Sequence, residues 1–411
     1  MPCDKPAEPL PEPLRGTESG TFTHRSIVDR LPQIGRRMMS ENSFNSDVTA
    51  KLDQLLSEIP HGPIRSLLND SADAAQWQQY IIPYLGQDWL EPSWFFVEHY
   101  FYRRVLEATG YFESGPGRGL DPFQNQKRQA LLSSAEAIES LGHQLTVLLS
   151  RSDWSDEDLA WLLALDLWGN QADLSMWPEG KTGQANQPDR SAFTLVDDTN
   201  AVISFVRNNG GVNAQIDILI DNAGFELVID LLTVLFILDK NIAGRIKLHA
   251  KAHPTFVSDA MIGDIWQTLT FFSESDDPTL ANIGSRLESL VNGGRLALTT
   301  HPFWTSPLPS WEMPESLCDT LGQASLVISK GDAHYRRLLG DRHWPYHTSI
   351  GAILCYLPAP VLVLRTLKSE VAAGITASRL QRIQETDPDW LVNGQWGMIQ
   401  FVPGSQETGS S

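Results

Sequence analysis

Apolar residues recur at helical spacing through the first half of the chain and fall into short runs in the second. The spacing predicts helices over His24–Ser40, Asp73–Leu85, Asn125–Leu149 and Asp156–Trp168. A further helix, WFFVEHYFYRRVLEATG, starts at Trp94 after Pro92 and Ser93 and stops at Gly110, with Glu98, Arg103 and Arg104 set among its aromatics. Beyond about residue 190 short apolar strands alternate with helical stretches, the pattern of a parallel sheet covered on both faces. Strands are expected at Thr194–Val196, Ile216–Ile220, Arg245–His249, Arg295–Thr299, Ser325–Ser329 and Val361–Leu364. Helices are expected at Thr199–Asn208, Phe225–Leu238, Ala260–Phe271, Ala281–Val291 and Ala333–Leu339. The fold class is therefore α/β.

Gly- and Pro-rich segments, ESGPGRGLDP and PEGKTGQANQPDR, punctuate the first half, and the second of them reads as a boundary between lobes. The expected organisation is a disordered Pro- and Glu-rich tail over 1–20, a helical N-terminal lobe over 21–190, an α/β domain over 191–405 and a second disordered tail over 406–411.

Composition narrows the partners. With 411 residues, 42% hydrophobic and 20% charged, the chain has the make-up of a globular protein larger than a single small core. Its net charge of −19 repels phosphate backbones and anionic lipid at long range, so neither nucleic acid nor a membrane surface is expected as a partner. A small phosphorylated metabolite remains compatible, because local cations or a metal reverse the field inside a cleft. Cys3, Cys318 and Cys355 lack zinc-ligand spacing and suit a reducing compartment. The start, MPCDKPAEPLPEPLRG, has no apolar signal run, and Phe225–Leu238 is too short to span a bilayer and contains Glu226 and Asp230. A cytoplasmic location, with the nucleus as the other candidate, and no obligate protein partner are expected.

Ligands of open α/β sheets sit beyond the carboxyl ends of strands. There, IDILIDNAGFE carries Asp221 and Asn222, with Gly224 allowing a tight turn, and HAKAHPTFVSDAM carries His249, Lys251 and Asp259. LVISKGDAHYRR carries Lys330, Gly331, Asp332, His334, Tyr335 and Arg336, and VLVL runs into Arg365 and Lys368. Two carboxylates and an amide oxygen are hard ligands for Mg²⁺ or Mn²⁺, and lysine and arginine at neighbouring strand ends suit a phosphate. Together they make an inventory for metal-assisted phosphoryl hydrolysis. Taken singly, Asp221 and Asn222 are ordinary turn residues, Asp259 suits the cap of a helix starting at Ala260, and Lys330 and Arg336 suit an exposed surface. Their convergence on one sheet edge favours the functional reading.

Other phosphatase chemistries lack their residues. Asp217 and Asp221 are four apart, not the two-residue spacing of an aspartyl-phosphate enzyme, and the arginine of a cysteine phosphatase is replaced by Ala324 after Cys318 and Val361 after Cys355. The GDxH element at Gly331–His334 lacks its companion, since Gly169-Asn170-Gln171 stands where Gly-Asn-His would be needed. GPGRG at Gly115–Gly119 follows no strand, and the GKT at Gly180–Thr182 has Ser175 where a phosphate-binding loop needs glycine.

Longer stretches carry a resemblance: THRSIVDRLPQI, FFVEHYFYRR, LWGNQADLS, DNAGFELVIDL, KAHPTFVSDA, LVISKGDAHYRRLLGDRHWP, PAPVLVLRTLKSE and WGMIQF. In this order they resemble the DUF89 damage-control phosphatases, in the subgroup that includes a protein also described as an acidic-residue (protein-glutamate) methyltransferase. The resemblance implies a three-layer α/β/α sandwich with a mostly parallel sheet and a helical N-terminal lobe. It implies metal ligation by Asp221, Asn222 and Asp259, and substrate contacts by Asp332, Ala333, His334, Tyr335, Arg336 and Lys368. It further implies hydrolysis of sugar phosphates such as fructose 1-phosphate and fructose 6-phosphate, supported by Mn²⁺, Co²⁺ or Ni²⁺ better than by Mg²⁺. Lys368 and Arg336 would neutralise the phosphate and Asp332 would orient the sugar or the leaving oxygen. Glu226 and Asp259 match positions proposed to touch S-adenosylmethionine, so a carboxyl methyltransferase is the rival reading, and a catalytically degenerate metabolite-binding protein is a third. One departure stands out: the family reads GDLNYRK where this chain has GDAHYRR, which places His334 at the asparagine position.

Overall fold

A computed structural model describes residues 5–169 and 190–404. Its centre is a seven-stranded sheet formed by β1 (Thr194–Asp197), β2 (Gly211–Leu219), β3 (Ala243–Ala250), β4 (Leu296–Thr300), β5 (Leu326–Lys330), β6 (Val361–Thr366) and β7 (Gly397–Val402). The strand order is β1-β7-β6-β5-β2-β3-β4. Five strands from β6 to β4 are parallel, whereas β7 is antiparallel to β6 and carries β1 alongside it in its own direction. The chain runs outward from β2 through β3 to β4, returns to β5 on the other side of β2, and runs outward again to β6. The point between β2 and β5 is thus the topological switch of the sheet, where side chains leaving the two strands open a crevice.

The first half supplies α1 (Phe22–Arg25), which continues through a π-turn (Ser26–Arg30) into α2 (Leu31–Glu41), then α3 (Ser46–Glu58), α4 (Ala74–Ile81), α5 (Trp94–Thr109), α6 (Gln124–Leu132), α7 (Ala135–Leu149) and α8 (Asp156–Trp168). The second half adds α9 (Thr199–Asn209), α10 (Phe225–Asp239), α11 (Ile262–Ser273), α12 (Pro278–Asn292), α13 (Glu315–Leu321), α14 (Gly331–Leu338), α15 (Ile350–Ile353) and α16 (Ala377–Thr386). Strand residues alternate between two cores, as the two-residue period of a strand requires. Ile216 and Ile218 of β2, Leu326 and Ile328 of β5, and Leu362 and Leu364 of β6 face α7, α8 and α10 to α12. Leu219, Val327, Val361 and Val363 face α2 to α5 with α13 and α14. Three layers result. Among the described residues no helix is long and apolar enough to cross a membrane.

Helix α10 is apolar all round and buried along nearly its whole length, as a helix between a sheet and a further helical layer must be. Helix α5 is buried on every side as well, and its charges are paired: Arg103 with Asp73, Arg104 with Glu58 and Glu107, and Arg65 with Glu107. Gly110 closes it at φ 73, the left-handed conformation that the stop signal called for.

Four expectations change. The segment before α1 is docked rather than disordered over its described residues: Leu14 is buried, its N–H donates to the Asp341 carbonyl at 2.9 Å, and its own carbonyl accepts from Trp94 N–H at 2.8 Å. Helices α7 and α8, expected in an N-terminal lobe ending at 190, join the core on one face of the sheet, α8 against β6 and β7 and α7 against α10 and α12, because their apolar faces share it. The expected helix over 125–149 is two helices that meet at Ser133–Ser134, where serines favour a break. Helices α3, α13, α15 and α16 and strand β7 lie where no element was expected. The proposed boundary segment up to residue 189, the GKT at 180–182 and the tail over 406–411 lie outside the described residues.

Candidate active site

Two backbone crossings bring the predicted residues together. Past β2 the chain pairs with 258–260: Ala223 N–H donates to the Ser258 carbonyl at 2.7 Å, and Ala260 N–H donates to the Asp221 carbonyl at 2.7 Å. An antiparallel bridge joins Asn222 to Asp259. Asp259 therefore faces Asn222 and does not cap a helix; α11 begins at Ile262 with Met261 as its cap residue, whose N–H donates to Asp264 at 2.8 Å. The second crossing is steric. At Gly331, the first residue after β5, φ is 82, and a Cβ built there would lie 1.9 Å from Asp221 Oδ2. Only a residue without a side chain lets α14 start this close to the carboxylate.

Asp221, Asn222, Asp259, Glu226, Asp332, Arg336 and Lys368 line one cavity of about 170 Å³, with Ala333, Lys330, Asp166, Trp94, Glu98, Tyr102, Phe256 and Arg30 also on its wall. Asn222 Nδ2 donates to Asp221 Oδ2 at 2.8 Å and to Glu226 Oε2 at 2.9 Å, while its Oδ1 accepts from the Ser258 hydroxyl. This leaves Asp221 Oδ1 buried with no hydrogen-bond partner among the described residues. Asp259 Oδ2 lies 3.1 Å from the Lys251 ammonium but accepts no aligned hydrogen bond. Burial, then the charges of Asp259 and Glu226, push the Asp221 carboxyl well above its ordinary range, with Lys251 and Lys368 opposing. Burial likewise raises Asp259 against Lys251. A buried carboxylate oxygen that lacks a donor, as Asp221 Oδ1 does, calls for a cation.

The donor set fits a divalent ion. Among the described residues no three His, Cys, Asp or Glu side chains cluster as ligands, so the set consists of two carboxylates and the amide oxygen of Asn222, whose second lone pair is free of Ser258. Such a short set suits an ion that keeps positions for water and phosphate oxygens.

The cations divide into two groups. Lys330, which the sequence offered as a phosphate ligand, is fully buried with Asp230 at 2.7 Å, Asp166 at 3.1 Å and Glu226 at 4.0 Å. Arg336 is held by Glu98 and by both oxygens of Asp341 and lies over the Trp94 ring at 3.6 Å. Their charges are already compensated. Lys368 is half-buried, and its ammonium makes no ion pair or hydrogen bond among the described residues; its charge acts on Asp221 and Glu226. Asp332 accepts from Arg365 Nε at 2.7 Å, from the Ser369 hydroxyl at 3.1 Å and from Lys368 N–H at 3.3 Å, so it fixes the loop that carries Lys368.

His334 and Tyr335 are buried behind the cavity wall. His334 Nε2 lies 3.2 Å from the Lys251 ammonium and 3.2 Å from the Ile220 carbonyl, and burial holds the ring well below its ordinary pKa, hence neutral. The Tyr335 hydroxyl accepts from Ala373 N–H at 3.1 Å and its ring lies under Arg365. The family resemblance had implied that both contact the substrate; the turn of α14 instead carries them into the core below it.

Several wall residues were missed. Asp166, Trp94, Glu98 and Tyr102 come from helices far from the strand ends, so no strand-end signal marks them. Glu98 inside an aromatic run was the available hint, since a buried carboxylate needs a partner. Phe256 sits at φ 54 with its ring against Tyr102, a backbone strain of the kind that collects at functional sites. Burial pushes Asp166 up to about 7, against Lys330.

Residues 26–383 match the family described as "Damage-control phosphatase ARMT1-like domain". Damage-control phosphatase ARMT1 of Danio rerio is 31% identical over 97% of this chain and 98% of its own, and that of Homo sapiens 29% identical over 95% and 98%. The crystal structure of a DUF89 family protein from Pyrococcus horikoshii superposes with a TM-score of 0.46 at 12% identity, covering 90% of this chain and 95% of that one. With the family match spanning most of its length, the chain belongs to the damage-control phosphatase ARMT1-like family.

Proposed function

We propose that the cavity at the β2–β5 switch hydrolyses sugar phosphates such as fructose 1-phosphate and fructose 6-phosphate, with Asp221, Asn222 and Asp259 holding the divalent ion. The relatives at about 30% identity are named damage-control phosphatases, and a metal-dependent phosphatase of small metabolites is the activity that goes with the family. The observation that carries the site assignment is Asp221 Oδ1, a buried carboxylate oxygen with no hydrogen-bond partner among the described residues, on the cavity wall that also carries Asn222 and Asp259.

When bound, the ion polarises a phosphoryl oxygen and lowers the pKa of water. The chain's own residues do the rest. Lys368 neutralises the phosphate at close range, where charge stabilisation is worth most. Lys251 holds Asp259, Glu226 orients Asn222, and Asp332 with Arg365 anchors the Lys368 loop. The Trp94, Tyr102 and Phe256 rings keep bulk water from one wall. Mn²⁺, Co²⁺ or Ni²⁺ would serve better than Mg²⁺, and the cytoplasm or nucleus would be the place of action.

The test is phosphate release from a hexose-phosphate panel by chelator-treated protein, with each of the four ions restored in turn. Turnover that returns with Mn²⁺, Co²⁺ or Ni²⁺ supports the reading. Full turnover after chelation, or none with any ion, overturns it.

A further inference from the structure

We propose that Arg30 is a substrate-binding residue of this cavity, holding a second anionic group, phosphate or carboxylate, at the end of the substrate away from the reacting phosphoryl group. The proposal rests on the phosphatase reading and deepens it: among sugar phosphates, a second anionic group raises the preference.

Of the cations on the cavity wall, Lys330 and Arg336 are compensated by carboxylates at contact distance. Among the described residues the charged ends of Lys368 and Arg30 have no such partner, and Arg30 is exposed at the opening. The two stand apart: Glu370, two residues from Lys368, binds the N–H groups of Phe22 and Thr23 at the start of α1, and Arg30 lies eight residues further along, about 12 Å at the helical rise. Glu98 on the same wall is taken by Arg336. One site for the transferred phosphoryl group and a second for a distal anion follow. In a chain of net charge −19, an uncompensated arginine at the mouth also reverses the local field for an incoming anion.

Arg30 is held in place from two sides. It ends the π-turn, where Leu31 N–H donates to the Ser26 carbonyl. Pro32, next along, has no N–H to continue an α-helical ladder, and its ring would crowd the Val28 carbonyl, so the helix widens here. Ser26, Ile27 and Leu31 are buried, which fixes the turn against the body. The start of the same helix is tied to the Lys368 loop: Glu370 accepts from Phe22 N–H at 3.2 Å, Thr23 N–H at 3.1 Å and the Thr23 hydroxyl at 2.7 Å. The two cations are thereby mounted on one braced unit.

The matched probes are 6-phosphogluconate and sorbitol 6-phosphate, which differ by a carboxylate in place of a hydroxymethyl group. With Mn²⁺ the wild-type chain should favour 6-phosphogluconate in kcat/KM by about tenfold, the factor one charge-assisted hydrogen bond carries. Arg30→Ala should remove that preference, Arg30→Lys should keep part of it, and Arg37→Ala, on the exposed side of α2, should leave it intact. Equal losses on both esters in Arg30→Ala, or no preference in the wild type, overturn the proposal. If neither ester is hydrolysed while fructose 1-phosphate is, the phosphatase reading stands; if fructose 1-phosphate is not hydrolysed either, that reading fails instead. Calorimetric binding of the same two esters then decides Arg30 by itself: a preference lost in Arg30→Ala supports it, and equal affinities overturn it.

Discussion

A carboxylate oxygen of Asp221 stands where the side chain of residue 331 would be, 1.9 Å from the position of its Cβ. The two residues end neighbouring strands, β2 and β5, and the absence of a side chain at one gives the other its place. Gly331→Ala should therefore displace Asp221 as well as strain a backbone at φ 82. Metal-dependent turnover should fall by about 10²-fold or more, as expected when a catalytic group moves by roughly 1 Å. Steady-state kinetics together with circular dichroism check this, and a folded variant with full activity would contradict the packing.

Asp221 should cost stability in the metal-free protein. Burial and the charges of Asp259 and Glu226 raise its folded-state pKa, so the folded chain binds this proton more tightly than the unfolded chain does. Stability is then present at low pH and is lost as pH rises through the raised value. Thermal unfolding of the metal-free chain from about pH 5 to about pH 8 should show this loss, and added Mn²⁺ should reverse it. Asp221→Asn should stabilise the metal-free chain by about 1 to 3 kcal/mol while abolishing the response to Mn²⁺.

Lys330 carries the opposite expectation. It neutralises Asp166, Asp230 and Glu226 in a fully buried cluster, so Lys330→Met leaves three carboxylates without their cation. Urea unfolding should register a loss of about 3 to 5 kcal/mol. A change below about 1 kcal/mol would mean that the cluster is already neutral.

His334, at the family's asparagine position among the substrate contacts that the resemblance implied, lies behind the wall against Lys251, which holds Asp259. His334→Asn should weaken Mn²⁺ affinity by about tenfold, as loss of a group supporting a ligand does. The ratio of kcat/KM for fructose 1-phosphate and fructose 6-phosphate should stay within about threefold of the wild type, the scale of a change without direct substrate contact. A larger shift in that ratio, with metal affinity unchanged, would return His334 to the substrate.

The central sheet was legible because short apolar runs ending in polar residues mark buried strands whatever surrounds them, and Asp221, Asn222 and Lys368 followed from where those runs stop. Strand β7 was not, since GMIQFV carries Gly397 and Gln400, and Gln400 is buried only because its amide donates to the Ala373 carbonyl. The roles of the cations were also hidden. Lys330, Arg336 and Lys368 look alike in sequence, and only the tertiary contacts of Asp166, Asp230, Glu98 and Asp341 tell the compensated ones from the open one. Arg30 lay within a stretch already read as helix, where the widening at Pro32 has no periodicity of its own.

The central claim is that Asp221 and Asp259 hold the ion on which turnover depends. Titration of chelator-treated protein with Mn²⁺, followed in parallel by calorimetry and by phosphate release from fructose 1-phosphate, tests it most directly. One ion per chain should bind in the wild type, with turnover rising in step with occupancy. Asp221→Asn and Asp259→Asn should lose both signals by about 10²-fold or more. Wild-type binding and turnover in either variant would contradict the assignment.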